Sequence, residues 1–241
     1  MNAETVFRAK ELRKNFGGAF TLRVDDLEIR RGEIFALVGP TGSGKSTLLR
    51  LLHLLETPTS GTLEFEGRSV VHPAELAIRR QITMVFQRPL LLRGSVLDNV
   101  SYGANLRRHR DPGKARRLLD CLGLAPLANA PAFPLSGGEI QRVAVARAMA
   151  IETPVLLLDE PTANLDPAHV LRIERIIRSR REDTATTIVI VTHNLLQARR
   201  LADRVAVLLE GRLVEVAPTE RFFDHPADPR TAAFVSGQTV W

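Results

Sequence analysis

Apolar positions follow different rhythms in different parts of the chain. Over the first thirty residues they alternate with polar ones, with Phe20, Leu22 and Val24 on one parity and Leu27 and Ile29 on the other. Period-two alternation predicts half-exposed antiparallel strands, and the change of parity at Asp25-Asp26 predicts a bulge or turn there. The run Ile34-Phe35-Ala36-Leu37-Val38 is apolar throughout and leads into glycines, as a strand covered on both faces does. Val155–Leu158 and Ile188–Val191 repeat that pattern, and Ile82–Phe86 is a weaker version of it. Helical stretches separate these runs, so the chain predicts an α/β fold with a mostly parallel central sheet and an N-terminal antiparallel β-subdomain. Thr47–Leu55 is apolar on nearly every side and predicts a helix buried in the core, with His53 a structural neighbour rather than a ligand.

Between about residues 88 and 150 the pattern changes to helices joined by loops: Val96–Leu106, Lys114–Leu122 and Gly137–Ala150, with no convincing strand. This interval reads as an inserted helical subdomain, dividing a single domain (1–241) whose core comprises 1–87 and 151–241. After residue 203 a hairpin is expected, Val205–Leu209 and Leu213–Val216 around Glu210-Gly211-Arg212, then a helix near Thr219–Phe223 and a short tail. No repeat of 20–50 residues is present.

Composition narrows the class. The 241 residues are 44% hydrophobic and 25% charged, enough apolar content to build a core and to exclude a disordered chain. No apolar run approaches the length of a membrane span, and the N-terminal segment lacks the charged start and apolar stretch of a secretion signal. Cys121 is the single cysteine, so no intrachain disulfide forms. Set among Leu118, Leu119 and Leu122, it reads as a small buried hydrophobe. The net charge is +6, and 29 of the 33 basic residues are arginine. The densest basic stretch, Arg107, Arg108, Arg110, Lys114, Arg116 and Arg117, has no interleaved aromatics to stack on bases. A solvated basic face, or a protein or membrane-surface contact, therefore ranks above nucleic acid. The scarcity of lysine draws attention to Lys45, which follows a glycine loop.

That loop, Gly39-Pro40-Thr41-Gly42-Ser43-Gly44-Lys45-Ser46-Thr47, matches G-x-x-x-x-G-K-[ST] between a buried strand and a helix. Its glycines allow successive backbone N–H groups to wrap phosphates at a helix N-terminus. Lys45 would reach the β- and γ-phosphates, and the Ser46 hydroxyl would bind Mg²⁺. A second motif follows Val155–Leu158: Asp159 and Glu160 end a buried strand, with Pro161 breaking it. At the carboxyl end of a parallel sheet these acids face the phosphate loop. Asp159 would hold Mg²⁺, directly or through water, and Glu160 would act as general base. A third, Leu135-Ser136-Gly137-Gly138-Glu139, contains a capping box, Ser136-x-x-Glu139, that would start a helix. Two glycines in that first turn cost about 1 kcal/mol each relative to alanine. A helix needing only a cap would not carry them, so a second phosphate site is expected there.

Leu135–Glu139 with Gln141-Arg142 resembles the signature sequence of the ATP-binding cassette ATPases, and other marks of that family follow in order over roughly residues 5–225. Phe16, before Gly17-Gly18, sits where the family's adenine-stacking aromatic lies. Gln87 matches a glutamine that senses the γ-phosphate and contacts the transmembrane partner, and it joins Ser46 and Asp159 as a metal-site residue. Asn164-Leu165-Asp166 resembles the loop that crosses the dimer interface, and His193 the switch histidine. The resemblance implies a P-loop NTPase fold and a head-to-tail dimer with a second copy of this chain. Each ATP would lie between one chain's Gly39–Thr47 and the other's Ser136–Glu139.

It also implies an ATPase at the cytoplasmic face of the cell membrane, coupled to separate permease subunits and, through them, to a substrate-binding protein. Leu90, Leu91 and Leu92 would offer the permease an exposed apolar groove, unless they pack beneath the helical subdomain. The phrases Leu49–Gly61 and Val85–Leu92 are similar to cassettes of oxyanion importers, with tungstate the first expectation among tungstate, molybdate and phosphate. An amino-acid importer, an exporter, or a cassette acting on nucleic acid or ribosomes remain the alternatives. The interval between the first and third motifs shows no sustained heptads, which disfavours the chromosome and repair members.

Overall fold

Segments buried on both faces must find strand neighbours, and the four apolar runs find one another. In the computed structural model, which describes residues 4–18, 20–107 and 111–238, β3 (Ile34–Val38), β6 (Ile82–Val85), β7 (Val155–Asp159) and β8 (Thr187–Val191) lie parallel in the order β3-β8-β7-β6. Their registers are tight: Ile34 opposes Ile188, Leu156 opposes Ile188, and Ile82 opposes Val155. Alternate residues feed two cores. Ala36 and Val38 pack under one face, and Phe35 and Leu37 under the other. Residues 1–3, and Arg108 and Arg110 of the basic stretch, lie outside the described residues.

The remaining strands extend the sheet beyond β3. The expected hairpin forms from β9 (Arg204–Leu209) and β10 (Arg212–Pro218), and β9 runs parallel to β3. Next come β2 (Thr21–Arg30), β1 (Thr5–Asn15), β4 (Ser60–Phe65) and β5 (Arg68–Ser69), antiparallel among themselves. The full order among the described residues is β5-β4-β1-β2-β10-β9-β3-β8-β7-β6. The parity change at Asp25-Asp26 is real; β2 makes no turn there, and the irregularity lies in the neighbouring β1, whose register against β4 shifts between Lys10 and Arg13. β2 is continuous, and β1 changes parity opposite it, with Ala9 and then Leu12 buried. Val24 pairs with Leu12 and Asp26 with Lys10, while Glu11 takes φ 48° between them. Matched slips in both strands leave the β1–β2 register unbroken at this point.

Helix α1 (Lys45–Leu52) runs beneath the sheet with Leu48, Leu49, Leu51 and Leu52 all buried. It stops at Leu52 rather than Leu55, because His53 is its C-cap and Leu54 adopts φ 62°. Burial, with Arg79 nearby, pushes the His53 imidazole down to about 4, so it is a neutral packing residue. A short α2 (Leu76–Arg79) precedes β6. Between β6 and β7 the described residues hold α3 (Val96–Leu106), α4 (Pro112–Cys121) and α5 (Gly137–Met149), with no strand beyond an isolated bridge from Ser95 to Pro131.

Cys121 is exposed, contrary to the buried reading. Ala115, Leu119 and Leu122 occupy the inward face of α4, and position 121 turns away from that face. Long α6 (Pro167–Thr184), then α7 (Leu195–Leu201) and α8 (Thr219–Asp224), cover the sheet. The tail contains a further helix, α9 (Pro229–Val235), whose Thr231 is buried and whose Phe234 packs on the core. The Glu215 carboxylate anchors its entry by accepting the N–H groups of Ala227 and Asp228. Among the described residues no helix is long and apolar enough to cross a membrane.

Candidate functional site

In-register parallel strands deliver their carboxyl ends to one level, and the first two motifs meet there. Asp159 pairs with Val191 across β7 and β8, and Val191 pairs with Leu37 of β3. The loop leaving β3, the acids ending β7, Gln87 after β6 and His193 after β8 are therefore drawn together. They surround a cleft of about 400 Å³ lined by Phe20, Thr41, Gly42, Gly44, Lys45, Ser46, Thr47, Gln87, Glu160 and His193.

The loop needs its glycines for space. Gly39 has φ 147°, and a Cβ there would lie 2.2 Å from the Leu208 carbonyl oxygen in β9. Gly44 caps α1 at φ 105°, and a Cβ would stand 3.0 Å from Cζ of Phe20. Lys45 is 6% exposed, and its ammonium donates to the carbonyls of Gly39 at 2.8 Å and Pro40 at 2.7 Å. Burial lowers the affinity of Lys45 for its proton, and the charges of Glu160 and Asp159 oppose that change.

The Ser46 hydroxyl donates to Asp159 Oδ1 at 3.1 Å, and burial pushes the Asp159 carboxyl up against the effect of that bond. Ser46 and Asp159 thus present neighbouring oxygens at the cleft that Gln87 also lines, and oxygen donors suit a hard divalent cation such as Mg²⁺. No cluster of three or more His, Cys, Asp or Glu side chains that could hold a metal occurs among the described residues. Such a cation would accordingly take most of its ligands from phosphate and water. Glu160 stands at φ 47° with its N–H bonded to the Val191 carbonyl at 2.9 Å. Its Oε2 meets His193 Nδ1 at 3.0 Å, joining two residues 33 positions apart.

The third motif lies apart from the cleft. Ser136 caps α5: its hydroxyl accepts from the Glu139 N–H at 3.3 Å, and the Glu139 carboxylate accepts from the Ser136 hydroxyl at 2.6 Å and its N–H at 2.8 Å. Those bonds hold the Glu139 carboxyl below the usual range. Asp166 caps α6 by accepting from the His169 N–H at 3.1 Å and bonding its Nδ1. Leu165 lies against Gly138, 3.0 Å from where a Cβ would stand. Within one chain, then, Gly39–Thr47, Gln87, Asp159, Glu160 and His193 converge. Ser136, Gly137, Gly138, Glu139 and Asp166 form a second cluster that does not line the cleft.

Two aromatic positions exchange prominence. Phe16 is exposed, with Lys14 Nζ 5.1 Å from its ring centroid, whereas Phe20 lines the cleft. In the sequence Phe20 carries no signal beyond its parity with Leu22. The three leucines after Gln87 also divide. Leu91 packs on the core, while Leu90 and Leu92 are 85% and 41% exposed. Buried Asn99 fixes this loop by accepting from Leu92 N–H at 2.7 Å and donating to the carbonyls of Leu92 and Ser95. Arg147 donates to the Leu90 carbonyl at 3.1 Å.

A family model described as ABC transporter matches residues 22–163. The chain is 43% identical over 241 residues to a phosphate import ATP-binding protein, PstB 2, of Natronomonas pharaonis, covering 94% of this chain and 84% of that protein. It is 38% identical to a probable amino-acid import ATP-binding protein, YxeO, of Bacillus subtilis, over 94% of each. Among solved structures it resembles a dimeric post-hydrolysis state of the ATP-binding cassette MJ0796 bound to ADP and Pi. That match has a TM-score of 0.79 and 30% identity, and covers 88% of this chain and 98% of that chain.

Proposed function

The chain belongs to the ABC transporter family and is an ATP-binding ATPase of that family, and on this premise we propose that it energises a membrane importer for an oxyanion such as tungstate. The observation that carries the catalytic half is the 3.0 Å contact of His193 with Glu160 at the mouth of a cleft floored by Lys45 and by the Ser46–Asp159 pair. The loop N–H groups and Lys45 bind the β- and γ-phosphates, and Phe20, with Phe16 beyond it, serves the base. Ser46, Asp159 and Gln87 would hold Mg²⁺, which would supply neutralisation of the phosphate charge when bound. Glu160 takes a proton from the attacking water, and His193 orients Glu160 and the γ-phosphate. Both are held by neighbouring strand ends, so little reorganisation is needed at the moment of reaction.

Within one chain the Ser136–Glu139 helix end does not line the cleft. Head-to-tail pairing with a second copy completes each site, with that helix N-terminus and Asp166 supplied by the partner chain. The dimeric state named for the similar MJ0796 structure supports this arrangement. Hydrolysis then removes the anion that holds the two copies together, and the 88–150 subdomain rotates as they part.

Transport requires permease subunits, which place the protein at the cytoplasmic face of the membrane with a substrate-binding protein on the far side. No residue of the cleft meets the cargo, so the oxyanion reading draws on the Leu49–Gly61 and Val85–Leu92 phrases and on the relative named for phosphate import. The relative named for amino-acid import favours the alternative cargo. Proteoliposomes carrying the chain, its permease and its binding protein should accumulate tungstate in an ATP-dependent manner. Uptake of an amino acid, with tungstate left outside, would replace the oxyanion reading.

Leu90 is the residue expected to carry the permease contact, being 85% exposed on a loop that Asn99 and Arg147 hold still. Leu90→Asp should leave the isolated protein's Tm within about 1 °C and reduce co-purification with the permease roughly tenfold, an interface loss of about 1.4 kcal/mol. Undiminished co-purification would move the contact elsewhere. Leu91 is unsuited to this test because it packs on the core.

A further inference from the structure

Behind the cleft, a single side-chain amide joins the two segments that carry Glu160 and His193. Gln197, on α7, has no exposed surface. Its Oε1 accepts from the Thr162 hydroxyl at 3.1 Å, and its Nε2 donates to Glu174 Oε1, on α6, at 3.3 Å. Glu174 is itself buried and takes two further bonds from Arg200, at 3.2 and 2.6 Å. The result is a continuous polar chain, Thr162–Gln197–Glu174–Arg200, none of whose members lines the cleft. Replacing buried ionic groups by apolar ones of similar volume is often neutral or stabilising, so stability alone does not account for such a chain.

Its ends lie where the reaction is controlled. Thr162 is two residues beyond Glu160, in a turn closed by the Ala163 N–H donating to the Glu160 carbonyl at 3.1 Å. On the other side, the Gln197 N–H donates to Asn194 Oδ1 at 3.0 Å, and the Asn194 N–H donates to the Thr192 hydroxyl at 3.0 Å. Thr192 and Asn194 flank His193. Gln197 therefore grips the turn after Glu160 with its side chain and the turn around His193 with its backbone. Those two turns bring Oε2 and Nδ1 to 3.0 Å.

We infer that Gln197 is a positioning residue for hydrolysis. It sets the Glu160–His193 separation through Thr162 and Asn194, and the Glu174–Arg200 pair orients its amide. The inference rests on the reading of Glu160 and His193 as the hydrolytic pair. An amide is required because the two partners make opposite demands: the Thr162 hydroxyl needs an acceptor, and the Glu174 carboxylate needs a donor. A carboxylate at position 197 would set two negative groups in hydrogen-bonding contact, while a hydrocarbon would leave Thr162 and Glu174 each short of a partner.

Three variants measured for ATP affinity, KM and kcat test this. Gln197→Met keeps the volume and removes both bonds; ATP affinity and KM should stay within about twofold while kcat falls roughly tenfold, the pattern of a lost transition-state arrangement. Gln197→Glu should lose more. Thr162→Val removes only the hydroxyl from which Gln197 Oε1 accepts and leaves Glu174 and Arg200 paired; it should lower kcat as Gln197→Met does, with ATP affinity and KM again within about twofold. A loss confined to kcat would not occur if the chain served packing alone, and Thr162→Val keeps the test decisive where a Gln197 variant folds poorly. Gln197→Met with normal kcat and a lowered Tm, or Thr162→Val at the parental kcat, overturns the inference. Glu160→Gln in the same assay separates the two claims. If it turns over normally, the hydrolytic reading fails; if it is dead while both Gln197 variants run at the parental rate, the positioning role alone fails.

Discussion

Glu160→Gln should bind ATP, accumulate as a stable dimer and lose at least about 100-fold in turnover, within the range that a general base contributes. The substitution alters little else. Glutamine is nearly isosteric and keeps an oxygen to accept from His193 Nδ1, and the backbone bond from residue 160 to the Val191 carbonyl does not involve the side chain. Lys45, Ser46 and the loop residues, which line the cleft and are proposed to hold the phosphates, are untouched. What disappears is a carboxylate able to accept the proton of the attacking water. With binding intact and cleavage blocked, the anion proposed to join the two copies should persist, so light scattering in ATP should report twice the monomer mass. Turnover close to that of the parent would end the assignment of Glu160 as base and shift the role to His193 or to water alone.

The site was far more legible in the sequence than its supports were. Gly39–Thr47 and Asp159-Glu160 are contiguous motifs attached to strands that are apolar throughout, and strands buried on both faces have few places to go. Their positions at the sheet's carboxyl ends followed from that. Phe20 was harder to see, because a single aromatic in an alternating strand looks like any core residue until Gly44 is found against it. Glu174 would pass for an ordinary solvated charge in a helix rich in arginine. Only the packing of α7 on α6 buries it and brings Gln197 to it across 23 positions of sequence. Cys121 and Leu91 show the same limit: an apolar run indicates that a segment is buried, and the helical or loop geometry then decides which member faces outward. The end of α1 depended on φ at Leu54, a quantity that composition does not encode.

Gly137→Asp should act with opposite sign on the single chain and on the pair. In one chain the position is open: a Cβ at Gly137 meets nothing within 4 Å, and its φ is not in the left-handed region. Replacing a helical glycine removes a cost of about 1 kcal/mol relative to alanine. A carboxylate in the first turn of α5 is further favoured by the helix dipole, by about 0.3–1 kcal/mol. The isolated protein's Tm should therefore hold or rise slightly. Across the proposed dimer the same carboxylate faces the partner's γ-phosphate. Two like charges about 4 Å apart near a protein surface repel by about 4 kcal/mol, which corresponds to several hundredfold in the association constant. The expected result is an unimpaired monomer that binds ATP, forms no dimer even in the Glu160→Gln background, and hydrolyses at least about 100-fold more slowly. Gly137→Ala, which adds bulk without charge, should fall between the two. A Gly137→Asp protein that still dimerised on ATP and turned over at the parental rate would mean that each cleft is complete within one chain. The two glycines after Ser136 would then have no ligand to face, and their cost to α5 would lack an explanation.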